Sequence, residues 1–260
     1  MGTAEVQGAL WGAAARDWSE LNEPHCAVFY EAVFDVIGAG ESMNLLDAGC
    51  GSGLALQIAA KRGATVSGFD ASAALLEIAA ERVPGGDLRR GDLESLPYRD
   101  GTFNAVTSFN AVQYAADPVA ALRELRRVAQ PGSPVAVLSW GDPERCETRT
   151  VLAAIGSILP PPPPGAGGPF ALAAPGKLED LLAQAGLTPA GSGEVRQRFS
   201  YPDLQMAVRA QLASGPARRA IEHAGADAAA AAITEAYAGN RQADGSYAQS
   251  NIFRYVIGSA

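Results

Sequence analysis

The chain has 260 residues, 48% of them hydrophobic and 18% charged, enough apolar material for one large α/β domain, or a domain with an elaborated lid, around a full core. A net charge of −8 and a pI near 4.8 exclude a sequence-independent grip on nucleic acid, which needs clustered Lys and Arg; only Arg123, Arg126 and Arg127 cluster, on a predicted surface helix. Cys26, Cys50 and Cys146 form no C-x-x-C pair, no apolar run nears the roughly twenty residues that span a bilayer, and no signal peptide opens the chain, so a cytoplasmic protein without structural disulfides, metal or membrane span is expected.

Residues 8–37 carry two helical patterns, one stacking Leu10, Ala14 and Trp18, the other Val28, Ala32, Val33 and Val36. Trp11 and Trp18 precede the first strand, where they either pack this segment on the sheet or offer ring faces to a cationic ligand. His25, beside Pro24, reads as a solvated loop residue.

Leu45 to Ala48 reads as a buried strand that runs into the glycine loop Gly49-Cys50-Gly51-Ser52-Gly53, and a helix opens at Leu54. Glycines at alternate positions admit turn conformations and bring a ligand close to the main chain. A dinucleotide fingerprint needs a third glycine where Leu54 stands. Asp47, at the strand's carboxyl end, would also repel a pyrophosphate, whereas a ligand with an ammonium group, such as S-adenosylmethionine, would be attracted.

Ala64 to Phe69 reads as a second strand ending in Asp70, followed by Ala71 and by Ser72 as cap of a helix to Arg82. A carboxylate at that strand end can take both hydroxyls of a ribose. A short third strand near Leu88 leads to Asp92 and Leu93; there a carboxylate can accept from an exocyclic amine while the Leu93 N–H donates to a ring nitrogen, which suits adenine. Phe103 to Phe109 is the fourth strand, and Asn110, Gln113 and Tyr114 follow at its carboxyl end. Asp117-Pro118 starts a helix whose buried face is Val119, Leu122, Leu125 and Val128, Pro131-Gly132 ends it, and Val135 to Trp140 is the fifth strand. Alternating strands and helices from 43 to 140 predict a doubly wound parallel sheet.

The loop from Asp47 to Gly53 resembles the first motif of class I S-adenosylmethionine-dependent methyltransferases. Gly91-Asp92-Leu93 with Leu96-Pro97, Asp100-Gly101 and Phe103 is similar to the ubiquinone and menaquinone methyltransferase-like, small-molecule group. The resemblance implies a Rossmann-like seven-stranded sheet, mostly parallel with an antiparallel last strand, helices on both faces and a helical lid. It also implies that Asp47, Gly49, Cys50, Gly51, Gly53, Asp70, Ala71, Asp92, Leu93, Phe109, Asn110, Tyr114 and Trp18 bind S-adenosylmethionine, with S-adenosylhomocysteine as product. Many relatives place a histidine after the fourth strand; this chain has Gln113-Tyr114 there. Its alanine- and proline-rich composition fits a bacterial coding sequence.

Beyond Trp140, Cys146 to Leu159 reads as a helix, the run from Pro160 with the glycines after it as a stiff-then-flexible connection, Lys177 to Ala185 as a helix and Glu194 to Phe199 as a sixth strand. Helices at 203–214, 216–224 and 227–237 precede the last strand, Asn251 to Ile257. The expected organisation is a single domain, residues 1–260, with a helical cover over about 1–40, a cofactor core over about 43–140 and a lid over about 203–238. On the helix from Pro216, Ala217, Ala220, Ile221 and Ala224 form the apolar face, and His223 at its edge is the candidate general base. The expected activity is methyl transfer to a small molecule, chiefly by alignment. The alternatives are a protein that uses S-adenosylmethionine structurally and, against Leu54, a nicotinamide dehydrogenase.

Overall fold

The apolar runs of the first half become strands because each is flanked by a turn-forming segment and followed by a helix that buries one of its faces. The computed structural model describes residues 2–161 and 167–260, so most of the proline-rich connection expected after Leu159 lies outside the described residues. The parallel strands are β1 (Asn44–Ala48), β2 (Thr65–Asp70), β3 (Asp87–Arg90), β4 (Ala105–Phe109) and β5 (Pro134–Trp140). Two long strands, β6 (Thr188–Tyr201) and β7 (Tyr247–Ser259), complete a seven-stranded sheet of order β3-β2-β1-β4-β5-β7-β6. β7 runs antiparallel to both β5 and β6. The strand order reverses between β1 and β4, and the crevice at their carboxyl ends is where a doubly wound sheet takes its ligand.

The N-terminal cover consists of α1 (Ala4–Gly12), the short α2 (Ala15–Asp17), a π-type turn over Trp18–Asn22, a 3₁₀ turn over Glu23–Cys26 and α3 (Ala27–Ile37). The core helices are α4 (Leu54–Lys61), α5 (Ala73–Arg82), α6 (Pro118–Val128), α7 (Arg149–Ser157) and α8 (Lys177–Gln184). Between β6 and β7 lie α9 (Leu204–Leu212), α10 (Gly215–Ala224) and α11 (Ala226–Ala236). One face of the sheet packs against α3, α4, α7 and α9–α11, through Phe34, Leu56, Ile155, Ala210 and Ile233; the other packs against α6 and α8, through Leu122, Leu125, Leu178 and Leu182. The expected start of α6 is in place. Asp117 accepts from the N–H groups of Val119 and Ala120 at 2.9 and 3.0 Å, a cap worth about 1 kcal/mol.

Several elements differ from expectation. In α3 the buried face is Phe29, Tyr30, Val33 and Phe34, whereas Val28 and Val36 are 48% and 55% exposed. Apolar residues occur on both sides of this helix, and the larger rings take the core. The stack of Leu10, Ala14 and Trp18 is interrupted, because the chain leaves helical geometry at Ala14 (φ −142°) before α2. α7 begins at Arg149 rather than Cys146, after a 3₁₀ turn over Pro143–Arg145. β6 and β7 extend well past their apolar cores, since thirteen paired positions from Thr188↔Ser259 to Tyr201↔Tyr247 carry polar and glycine residues into the ladder. His25 is no solvated loop residue. Its Nδ1 donates to the Asn22 carbonyl (3.2 Å) and its Nε2 accepts from the Ser200 N–H (3.1 Å), which ties the cover to edge strand β6.

Candidate functional site

At the carboxyl end of β1 the chain turns through Gly49, Gly51 and Gly53, all with positive φ (86°, 55° and 83°), conformations that cost L-residues with a Cβ. At Gly49 a Cβ would collide with that of Ala111, which closes the β4 side of the crevice. The amides of four of the loop's five residues are already engaged. Gly49 and Cys50 donate to the Phe69 carbonyl (2.7 and 3.1 Å), Gly51 to Asp70 Oδ2 (2.8 Å) and Gly53 to the Cys50 carbonyl (3.0 Å). The expectation that these N–H groups hold a ligand is therefore corrected: among the described residues it is the Gly49 carbonyl that takes no hydrogen bond, and a carbonyl suits an ammonium donor. Gly53 does not border the cavity. It caps α4 and packs against Ala79 of α5, 2.8 Å from where its Cβ would stand.

Asp47 also departs from expectation. Its carboxylate is buried between β1 and β4, accepts from Thr107 Oγ1 (2.8 Å), and is not part of the cavity wall. Burial pushes its carboxyl up to about 7, with Asp70 and Glu23 adding repulsion against a smaller opposing contribution from Thr107. Asp70, at the end of β2, does face the cavity. Oδ2 takes the Gly51 N–H and Oδ1 the Ser72 N–H, both at 2.8 Å, while Ser72 Oγ caps α5 through the Leu75 N–H. Burial pushes the Asp70 carboxyl up and these amides pull it down. Its remaining lone pairs are available to hydroxyls. Further along the wall, Asp92 Oδ1 takes the Glu94 N–H (3.0 Å), and the Leu93 N–H donates to no described residue. Cys50, Gly51 and Ala71 line the same half.

The cover closes this half from above. Glycines at 8, 12 and 215 let α1 lie directly on Ala71, Ser72 and α10, where a Cβ would meet Ala71 O, Ser72 Oγ and the Trp11 ring. Thr3 Oγ1 donates to the Tyr114 carbonyl (2.6 Å). Trp11 packs edge-on against Trp18 at 4.8 Å and Tyr114 at 5.7 Å, and all three rings line the cavity. Sequence reasoning missed Glu23. This carboxylate, 2% exposed, accepts from Ser52 Oγ (2.5 Å) and from the Leu54 N–H at the start of α4 (3.4 Å), and pairs with Arg82 of α5. Arg82 in turn donates to the Ser52 and Ser19 carbonyls, both at 3.0 Å. Burial pushes Glu23 up more than Arg82 and its other donors pull it down. One acid thus joins cover, glycine loop and α5. No local motif marks it, because its partners lie some thirty and sixty residues away in the chain.

Past Phe109 and Asn110 the cavity widens between cover, sheet and α9. Asn110 holds a left-handed conformation (φ 52°), with its N–H donated to the Leu138 carbonyl (2.8 Å); a non-glycine residue so placed beside a cavity is a frequent mark of function. The walls here are Tyr30, Trp140, Phe199 and Phe253, with Cys26 and Gln211 among the polar groups. Burial pushes the Cys26 thiol and the Tyr30 phenol up, so both stay protonated at neutral pH. His223 is not on this wall. It is exposed with its neighbours 222 and 224, because α10 packs through Gly215, Ala217 and Ala220 and its last turn projects past that contact; the base role expected of it has no geometric footing. Among the described residues no group of three or more His, Cys, Asp or Glu is placed to hold a metal ion, and no helix is long and apolar enough to cross a membrane.

Residues 46–137 match the family described as a methyltransferase domain. A malonyl-[acyl-carrier protein] O-methyltransferase of Erwinia pyrifoliae is 32% identical over 158 residues, which cover 60% of this chain and 59% of that one. A demethylmenaquinone methyltransferase of Renibacterium salmoninarum is 33% identical over 119 residues, covering 46% and 50%. The chain therefore spans between half and three-fifths of the length of these relatives. Geranyl diphosphate C-methyltransferase from Streptomyces coelicolor A3(2), solved with Mg2+, geranyl diphosphate and S-adenosyl-L-homocysteine, superposes with a TM-score of 0.55 at 18% identity over 90% of this chain and 78% of that one, a likeness of fold. Residues 46–137 thus resemble a methyltransferase domain in sequence, and the seven-stranded sheet around them resembles those of solved methyltransferases in fold.

Proposed function

We propose that this protein transfers a methyl group from S-adenosylmethionine to a small-molecule acceptor. The observation that carries the reading is the continuity of one covered cavity: a polar half along the ends of β1, β2 and β3 opens into an aromatic half between the cover and α9. The polar half fits the cofactor. Asp70 would take the ribose hydroxyls, Leu93 N–H and Asp92 the adenine edge, the Gly49 carbonyl the ammonium, and Trp18, Tyr114, Phe109 and Asn110 would border the sulfonium end. Bound there, S-adenosylmethionine would supply an electrophilic methyl on a positively charged sulfur and leave as S-adenosylhomocysteine.

The chain's own residues would align and enclose. Methyl displacement requires the nucleophile in line with the breaking bond and water kept out. The N-terminal cover and the junction of α9 and α10, through Gln211, Ser214 and Pro216, would close over the core strands. Cys26 and Tyr30, held protonated, are not bases. A cavity recessed beneath the cover and a net charge of −8 favour a small acceptor over nucleic acid, and three unpaired buried cysteines favour the reducing cytoplasm.

Calorimetry with S-adenosylhomocysteine tests the cofactor half, and its appearance from S-adenosylmethionine in the presence of candidate acceptors tests transfer. Binding without turnover across such a screen would favour a protein that uses the cofactor structurally; absence of binding would overturn the reading.

A further inference from the structure

We propose that the acceptor is an uncharged, planar aromatic compound bearing a hydroxyl or N–H group, and that Gln211 Oε1 receives the hydrogen bond from that group. The inference rests on the methyl-transfer reading and concerns only the aromatic half of the cavity.

Ring faces dominate that half. Trp140 and Phe253 lie 4.6 Å apart at 39°, Phe199 and Phe253 6.1 Å apart at 40°, and Tyr30 meets Phe109 edge-on at 4.7 Å. Such a packed wall favours a further ring laid against it, offset or edge-on. Charge is matched against ions of both signs. Among the described residues no Lys, Arg or His lines the cavity, so a phosphate or carboxylate would be desolvated without a counter-ion. A cationic amine would meet the positive sulfur of the donor, and the acids on the wall are Asp70 and Asp92 in the other half and Glu23, which is already paired with Arg82.

Among the polar groups of the aromatic half, Thr148, Ser214 and Asn22 are committed, whereas the Tyr30 hydroxyl, held protonated, and Gln211 Oε1 accept no hydrogen bond from a described residue. Thr148 Oγ1 donates to Gln249 Oε1 (3.0 Å) and Ser214 Oγ to the Gln211 carbonyl (2.8 Å). Asn22 is used at both ends, accepting from Tyr201 OH (2.9 Å) and donating to the Ala210 carbonyl. Gln211 is held by the donation of its Nε2 to Tyr237 OH (3.2 Å), and its Oε1 accepts from no described residue. A fixed acceptor oxygen on a wall of rings selects a ligand with one donor on an apolar plane.

Binding to the protein saturated with sinefungin, whose amine carries a positive charge where the donor's sulfonium would lie, is measured by calorimetry for 2-naphthol, 2-naphthyl phosphate, 2-naphthylmethylamine, trans-2-decalol and 2-methylnaphthalene. 2-Naphthol is expected to bind at least about tenfold more tightly than the phosphate, the amine or the decalol. Gln211→Leu should weaken 2-naphthol at least about fivefold while 2-methylnaphthalene and S-adenosylhomocysteine change less than about twofold, a selectivity that a purely structural role for Gln211 would not produce. Should that variant not fold, Leu152→Lys, a cavity-wall position on α7, should bring the phosphate within about threefold of 2-naphthol by supplying the missing cation. The proposal is overturned if the phosphate or amine matches 2-naphthol, if the decalol does so, if Gln211→Leu weakens the hydroxyl and methyl compounds alike, or if 2-naphthol does not bind. In each of those cases intact binding of S-adenosylhomocysteine leaves the cofactor reading standing; its loss in the wild-type protein overturns both.

Discussion

Glu23→Gln isolates the contact on which the cover depends. The substitution keeps the side chain's size, but removes the charge opposite Arg82 and turns an NH2 either on the Leu54 N–H or on the Ser52 and Arg82 donors that converge on one oxygen. Breaking a buried pair by neutralising one partner costs about 3–5 kcal/mol. Here the Arg82 side chain is 20% exposed and can recover some hydration, so a cost reduced to about 2–4 kcal/mol is expected. For a chain of this size 1 kcal/mol moves Tm by roughly 2–4 °C, giving a fall of roughly 4–16 °C in a thermal scan. Urea unfolding supplies the free energy directly. The double variant Glu23→Gln with Arg82→Met should lose clearly less than the sum of its single variants, because it leaves no uncompensated guanidinium. Affinity for S-adenosylhomocysteine should fall with stability, since Glu23 also borders Gly51 across the cavity wall, 3.7 Å from a Cβ there. A Glu23→Gln protein within about 0.5 kcal/mol of wild type, or strict additivity in the double variant, would refute the reasoning.

Asp70→Asn replaces one acceptor oxygen by a donor facing the Gly51 or Ser72 N–H and should lower affinity for S-adenosylhomocysteine at least about tenfold; unchanged affinity in calorimetry would remove Asp70 from the ribose. Asp47, with its carboxyl pushed from 3.8 up to about 7, holds a proton that the unfolded chain has released, so its contribution to stability is full below about pH 4 and lost as pH rises through 7; wild type should lose about 3 kcal/mol relative to Asp47→Asn between pH 5 and 8.5, read from urea midpoints. Parallel pH profiles for the two proteins would contradict that assignment. His223→Ala should leave turnover at pH 7 within about twofold, because the ring stands exposed off the cavity wall; a hundredfold loss in S-adenosylhomocysteine release would restore it as a base.

The sheet was legible where each strand states its own case. β1, β2, β4 and β5 are short apolar runs ended by Gly, Asp or Asn, and their order alternating with helices implies the parallel core. β6 was read as a short run from Glu194 to Phe199, yet it extends over Thr188–Tyr201. It is the sheet's edge, mostly exposed, with Gly191 and Gly193 in its length; nothing local marks such residues as strand, and they are strand because β7 offers them a ladder. In α3, a segment apolar on both sides, periodicity alone gave the wrong face, because which side is buried depends on the large rings finding Phe109 and Phe253. The π-type turn at Trp18–Asn22 has no sequence signature either, although it sets Asn22 and Glu23 toward the cavity.

The three acids singled out from sequence show why the site was half legible. Asp47, Asp70 and Asp92 each stand at or just past the carboxyl end of a strand, and formal charge treats them alike. Their surroundings do not. Asp47 turns into the sheet toward Thr107, where burial favours its neutral form; Asp70 is oriented by two amides that fix both oxygens at the cavity wall; Asp92 is held by one and stands next to an uncommitted N–H at Leu93. The spacing of the glycine loop could announce that a ligand approaches the backbone, but which carboxylate meets it depends on the donors arriving from other strands. The same holds for Glu23 and Gln211, both ordinary residues on amphipathic segments until the fold brings Ser52 and Arg82 to one and Tyr237 to the other. A chemical role in this site belongs to a side chain together with the partner that leaves one of its lone pairs free, and that pairing is a property of contacts separated by tens to hundreds of residues.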